Sequence, residues 1–238
     1  FDALSTPLGA GERAFLFVAR RGLAPITVCS DCGSRVSCHA CQAPVILHKA
    51  GREHLFICHA CGAMRSSNES CATCTSWRLT TLGIGRQMVE QELTRMFPDT
   101  PVFSFDRDVV KTRKQARDRI EQFYQTPGSI LLGTEMGLLY LTEPVPLSGV
   151  ISLDSLLSIP EWNIYERIMS LLVKTREMTT QEMLVQTRKP DDPILALAER
   201  GALGEFYKEE IAERKQYQYP PFTLLIKISV HGKSEEIR

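Results

Sequence analysis

All eight cysteines of this 238-residue chain fall in Cys-x-x-Cys pairs: Cys29 with Cys32, Cys38 with Cys41, Cys58 with Cys61, and Cys71 with Cys74. Disulfide frameworks rarely close so short a loop at every position, because a relaxed S–S bridge fits poorly across two intervening residues. A metal knuckle fits well, since its tight turn points two thiolates and nearby backbone N–H groups at one ion. Gly33 and Gly62 directly follow the second cysteine of their pairs and supply the backbone freedom that such turns use. Four thiolates close a tetrahedral Zn²⁺ shell at about 2.3 Å per bond with no open position, so two structural zinc ions are expected.

Four pairs combine into two sites in three ways. Cys38, Cys41, Cys58 and Cys61 match the spacing of a zinc ribbon, leaving Cys29, Cys32, Cys71 and Cys74 for a second site enclosing the first. This nested arrangement is the favoured reading. An interleaved one stays open, and iron–sulfur ligation is an alternative use of the same thiolates. Residues 45–48 and 54–57 read as short extended runs about Lys49-Ala50-Gly51-Arg52, a hairpin inside the ribbon. His39, His48, His54 and His59 lie among the cysteines, but two complete thiolate sets leave them no vacancy.

The rest of the chain bounds the class. A hydrophobic fraction of 43% and a charged fraction of 24% are ordinary for a soluble globular protein. No apolar run approaches the roughly 18 residues of a membrane span, and Phe1-Asp2-Ala3 opens no secretory signal. The start without Met and the polar close over residues 229–238 lead us to expect a piece of a longer protein. Net charge is zero, yet residues 1–89 hold nine Lys/Arg against five Asp/Glu, an excess suited to a polyanionic neighbour.

Outside residues 29–74, strands and helices alternate. Residues 14–18 form a continuous apolar run, as a buried parallel strand does. Helices are expected over 86–97, 114–124 and 161–178, and strands over 101–105, 130–132, 150–153 and 183–186. This rhythm predicts an α/β fold with a mainly parallel sheet into which the zinc module is inserted. Composition shifts again at Lys189-Pro190-Asp191-Asp192-Pro193. Helices over 194–200 and 203–216 are expected beyond it, then a strand over 223–230 opening another domain.

In their order, several segments resemble one family, the bacterial replication-restart helicase PriA (primosomal protein N′). They are the run from Phe15 to Gly22 with its Arg20-Arg21-Gly22 turn, the cysteine array, Gly83-Ile84-Gly85 and Phe97-Pro98. Asp106-Arg107-Asp108, residues 130–136, Leu153-Asp154, Glu166-Arg167, Gln186-Thr187, Phe206-Tyr207, Glu213-Arg214 and Tyr219-Pro220-Pro221-Phe222 continue the series. The resemblance implies a RecA-like second helicase lobe over residues 1–28 and 75–190 and a two-zinc insertion over 29–74. Residues 191–238 would then be linker helices and the start of an α+β C-terminal domain.

The family's activity needs ATP and Mg²⁺, a phosphate-cradling loop in one lobe and arginines in the other. No G-x-x-x-x-G-K-[ST] occurs in this chain. Where the family's motif VI places a Gly-Arg-Ala-Gly-Arg run, after Leu172, the residues are Val173-Lys174-Thr175-Arg176-Glu177-Met178. Motif V also departs after Met136, continuing Gly137-Leu138-Leu139-Tyr140. An arginine finger is worth about 10³ to 10⁵ in rate, so its loss predicts a chain with no ATP turnover of its own and no catalytic residue.

The resemblance further implies branched or forked DNA, primosome proteins and single-strand-binding protein as partners, and a cytoplasmic, nucleoid-associated location. Arg20, Arg21, Lys49, Arg52 and Thr134 are the candidate contacts to the DNA backbone. Two other readings stay open. One is an active ATP-dependent 3′-5′ helicase seen in part; the other is a zinc-dependent module that binds proteins without touching DNA.

Overall fold

The computed structural model describes residues 2–19, 26–50, 53–58, 61–82, 86–157, 159 and 161–226. After α1 (Ser5–Gly9) and β1 (Ala14–Val18), the insertion contributes β2 (Ile26–Cys29), β3 (Ile46–Ala50), β4 (Glu53–Ile57), β5 (Met64–Ser66) and β6 (Leu79–Leu82). Then follow α2 (Arg86–Met96), β7 (Val102–Phe105), α3 (Arg113–Gln125), β8 (Ile130–Gly133), α4 (Glu135–Tyr140) and β9 (Val145–Ile151). The first unit, Phe1–Asp192, ends with α5 (Leu153–Leu157), α6 (Ile164–Glu177) and β10 (Thr179–Val185). Pro193–Arg238 is a second unit, with α7 (Pro193–Glu199) and α8 (Leu203–Gln216).

All five residues of β1 are buried, which requires cover on both faces and neighbours on both edges. β1 is accordingly the centre of a five-stranded parallel sheet of order β10-β9-β1-β8-β7. One face carries Leu16, Val18, Ile130, Leu132, Leu147 and Ile151, closed by Leu8 of α1 and by Val89 and Leu93 of α2. The other presents Phe103, edge-on to Phe123 of α3, and Phe105, against Tyr140 of α4. α6 packs on β9 and β10. The α/β class with a mostly parallel sheet and helical cover is therefore as the alternation implied.

Several boundaries differ from expectation, each for a physical reason. β9 starts at Val145, five residues before the expected strand, and runs through Pro146. That proline lies outside the pairing with β1 and at the register shift of β10, so its missing N–H removes no bond from the sheet. Leu153, expected to end this strand, instead opens α5. β10 begins at Thr179, not 183; it is an edge strand whose first residue is a buried threonine and whose next three, residues 180–182, are exposed, so they carry no apolar signal. The long helix expected over 161–178 spans Ile164–Glu177, with Asn163 at its N-cap.

Residues 223–226, expected to begin a strand, are not in one, and Leu224 and Ile226 are exposed; residues 227–230 lie outside the described residues. The insertion is bracketed by an antiparallel ladder that the sequence reading lacked. It pairs Ile26 with Leu82 and Cys29 with Leu79. Among the described residues, no helix is long and apolar enough to cross a membrane.

Candidate metal centre

The insertion has little apolar matter of its own. Its core is Cys38, Val45, Phe56 and Cys58, with Val36, Ala43, Leu47 and Leu79 packed beside them. Arg65 braces this core: its guanidinium lies 5.3 Å from the Phe56 ring centroid, donates to Glu69 at 2.8 and 3.0 Å, and donates to the Ser37 carbonyl at 3.0 Å. So small a core does not offset the ordering of some fifty residues, a shortfall that small domains commonly meet with a structural metal.

The four Cys-x-x-Cys segments adopt one geometry. The N–H after the second cysteine donates to the carbonyl of the first: Gly33 to Cys29, Gln42 to Cys38, Gly62 to Cys58 and Thr75 to Cys71, at 2.8–2.9 Å. The N–H of the first cysteine donates forward to the carbonyl of Ser34, Ala43, Ala63 or Ser76, at 2.7–2.9 Å. Each turn then closes through a residue of positive φ, +74° at Gly33, +60° at Gln42, +76° at Gly62 and +61° at Thr75. Glycine takes this conformation freely; Gln42 and Thr75 hold it at a cost of about 1 kcal/mol or more each. In every pair the first cysteine is buried and the second exposed.

These turns bring the sulfurs into two sets, Cys29/Cys32/Cys71/Cys74 and Cys38/Cys41/Cys58/Cys61, with all thiols of a set within 4.8 Å of one another. The separations are 3.5 Å for Cys29–Cys74 and Cys32–Cys71, 3.7 Å for Cys38–Cys61 and 3.5 Å for Cys41–Cys58. A disulfide needs about 2.05 Å. A tetrahedron of Zn–S bonds of about 2.3 Å has edges of about 3.8 Å, so both sets fit a four-thiolate ion. No histidine joins either set among the described residues: His39 is exposed in its turn, His48 and His54 lie on β3 and β4, and His59 is outside the described residues.

The thiols are electrostatically unequal. Backbone hydrogen bonding from Cys32, Cys41 and Cys74 holds Cys29, Cys38 and Cys71, respectively, below the usual thiol range, and the Ser34 hydroxyl does so for Cys32. Hydrogen bonding from the backbone of Ala43 favours the Cys41 thiolate, but the sulfurs of Cys58 and Cys61 outweigh it and push Cys41 up to about 12. Ser76 and the pair Cys32 and Cys29 act in the same opposed way on Cys74, also up to about 12. Several negative sulfurs within 5 Å repel one another, and a divalent cation removes that repulsion.

The candidate DNA contacts are placed less completely. Arg20, Arg21 and Arg52 lie outside the described residues, as do Gly83, Ile84 and Gly85. Lys49 is placed by its backbone in β3, opposite His54, in a hairpin that joins β3 to β4. Thr134 follows β8 and is buried; its hydroxyl accepts the Met136 N–H at 3.4 Å and so caps α4. Two arrangements escaped sequence reasoning. Gln42 and Thr75 complete knuckles without the glycine that marks the other two. Arg86 and Asp106, twenty positions apart, pair at 2.7 Å beneath the β7–α3 connection.

No protein-family profile matches the chain. Individual relatives do. The replication restart protein PriA of Bacillus subtilis (strain 168) is 31% identical over 236 residues, covering 96% of this chain and 29% of the relative. That of Chlamydia muridarum is 33% identical over 237 residues, 96% of this chain and 31% of the relative. That of Thermotoga maritima is 30% identical over 241 residues, 99% of this chain and 32% of the relative. The chain thus spans about a third of the length of the curated relatives it matches. With nearly every residue aligned to them, it belongs, over that stretch, to the PriA family.

Proposed function

We propose that this chain is the DNA-binding scaffold of a replication-restart protein: it engages branched or forked DNA, supports primosome assembly, and turns over no ATP itself. Two structural zinc ions hold its insertion in shape. Arg20, Arg21, Lys49, Arg52 and Thr134 contact the phosphate backbone, and single-strand-binding protein and primosome components are the protein partners. The setting is the cytoplasm, at the nucleoid.

The observation that carries the inactive-motor reading is the course of α6. The family's motif VI calls for a glycine-rich segment with paired arginines after Leu172, yet the helix continues unbroken through Glu177. Thr175 is wholly buried, and Arg176 donates to the Thr179 carbonyl at 2.9 Å, bracing the turn into β10. A guanidinium committed to that carbonyl is poorly placed to meet developing phosphoryl charge.

The test is ATP hydrolysis by the full-length protein with and without forked duplex, beside fork binding measured by anisotropy. Salt-sensitive fork binding without DNA-stimulated hydrolysis is expected. DNA-stimulated turnover abolished by changing the lysine of a phosphate loop elsewhere in the protein would overturn this reading in favour of an active helicase. Zinc-dependent capture of partner proteins with no affinity for forks would favour a protein-interaction module.

A further inference from the structure

The two thiolate sets are supported by different materials. In the ribbon set, Cys38 and Cys58 belong to the apolar cluster with Val45 and Phe56, and the β3–β4 hairpin runs between the two cysteine pairs. Among the described residues, that cluster takes in no cysteine of the enclosing set, Cys29, Cys32, Cys71 and Cys74. The ends of the enclosing set are joined by polar links instead. The Ser76 hydroxyl donates to Asp31, Arg78 pairs with Asp31 at 3.3 Å across exposed side chains, and the Ser30 N–H donates to the Arg78 carbonyl at 2.8 Å. Exposed ion pairs contribute little, and the β2–β6 ladder is two-stranded, a form that is marginal on its own.

Chain length points the same way. Cys41 and Cys58 are 17 positions apart, whereas Cys32 and Cys71 are 39 apart. Filling the ribbon set joins Cys38 to Cys61, which takes 23 of those 39 positions out of the longer loop and leaves 16. The closure penalty grows roughly with the 3/2 power of loop length, so the enclosing set starts about threefold behind and gains about fourfold once the ribbon is full. Packing adds to that coupling. Arg65 of β5 donates to the Ser37 carbonyl, beside Cys38, and to the carboxylate of Glu69, two residues before Cys71. Leu79 packs on the ribbon's cluster and pairs with Cys29 in the ladder. A groove of about 660 Å³, bordered by Arg35, His39, Arg65 and Glu69, gives a small competing ligand a route to Cys71, and no ribbon cysteine lines it.

We infer that the two centres fill and empty in a fixed order: the ribbon set takes its ion first and keeps it last, and the enclosing set is a releasable clasp that closes on a filled ribbon. This inference rests on the two-zinc reading above. With one ion the insertion keeps β3, β4 and β5 while residues 29–32 and 71–74 come apart; with two, its base is shut. The enclosing thiolates therefore make the closure of the insertion responsive to free zinc. Because coupling between sites is reciprocal, the shut clasp strengthens the ribbon's hold by the same factor.

The test withdraws zinc stepwise from the loaded 238-residue chain with EDTA. Native mass spectrometry counts the ions, and N-ethylmaleimide followed by peptide mapping marks the thiols set free. When one zinc per chain remains, Cys29, Cys32, Cys71 and Cys74 should be alkylated at least about threefold more than Cys38, Cys41, Cys58 and Cys61. In competition with the chelator, Cys38→Ser/Cys61→Ser should weaken zinc binding by the enclosing set at least about fourfold. Cys29→Ser/Cys74→Ser should leave the ribbon's ion in place. Equal alkylation of both sets at one zinc, earlier loss from the ribbon, or passage from two ions to none without a one-zinc chain would overturn the order and leave the two-zinc reading standing. So would an enclosing set unweakened in the Cys38→Ser/Cys61→Ser variant. A loaded chain that holds fewer than two zinc ions would overturn the two-zinc reading itself.

Discussion

The sulfurs of Cys29 and Cys74, 45 residues apart in the chain, stand 3.5 Å from each other, and Cys29 at the same time pairs with Leu79 in the ladder that closes the insertion. An ion held by these thiols and the ladder's hydrogen bonds would therefore tie the same two ends. Chelation should dissolve the interior of the insertion while the parallel sheet persists, since β1, β7, β8, β9 and β10 draw on apolar contacts that hold no cysteine. Hydrogen exchange with a strong zinc chelator is expected to deprotect residues 30–78 and leave residues 130–133 and 147–151 protected. Equal deprotection of both regions would mean that the two fold as one.

Metal capture should release protons. Cys41 and Cys74 have pKa values pushed up to about 12, so at pH 7 each retains its proton until a cation displaces it. At least one proton per site is expected on zinc binding, and apparent affinity should rise about tenfold per pH unit for each proton released. Because the bound form is the deprotonated one, acidification weakens the sites. Calorimetry of zinc addition in buffers of different ionisation enthalpy counts those protons directly.

The four knuckles predict a pattern of opposed substitutions. Thr75→Gly and Gln42→Gly remove side chains from a left-handed backbone and should each stabilise the zinc-loaded protein by about 0.5–1 kcal/mol. Gly33→Ala should destabilise it by about 1 kcal/mol, although a Cβ there meets nothing within 4 Å. Thermal denaturation of the zinc-loaded variants reads these shifts, and a destabilising Thr75→Gly would show that the threonine side chain has work beyond the turn.

Asp106→Ala removes one of the two carboxylate partners of Arg86, which is 14% exposed, together with two hydrogen bonds to the β7–α3 turn. A loss of about 2–3 kcal/mol in urea denaturation is expected, from the lost turn bonds and a nearly buried guanidinium that keeps only Glu90 as its counter-charge. Asp106→Asn keeps an oxygen for the turn and should cost less, about 1–2 kcal/mol.

The cysteine array was readable because spacing alone constrains it: two residues between thiols dictate a turn, and four turns in series leave few ways to fill two tetrahedra. β1 and β8 were equally plain, being short apolar runs buried on both faces. β2 and β6 were not, since four-residue strands such as Ile26–Cys29 give too little alternation to stand out, and their pairing depends on an insertion of some fifty residues folding between them. The cap of α3 at Thr112 and Gln115 was not read from the sequence, where the helix was expected to begin at Lys114, one residue after its start at Arg113.

The pairing of Ile26 with Leu82 sets the two feet of the insertion one strand's width apart. To the α/β lobe, the whole cysteine-rich segment is thus a single narrow anchorage, whatever its size. Such a module can be lengthened, trimmed or exchanged between homologues without moving the sheet that carries it. A short hairpin joining β2 to β6 in place of the cysteine-rich interior should leave a lobe that still folds, which makes the module a replaceable cartridge on a fixed chassis.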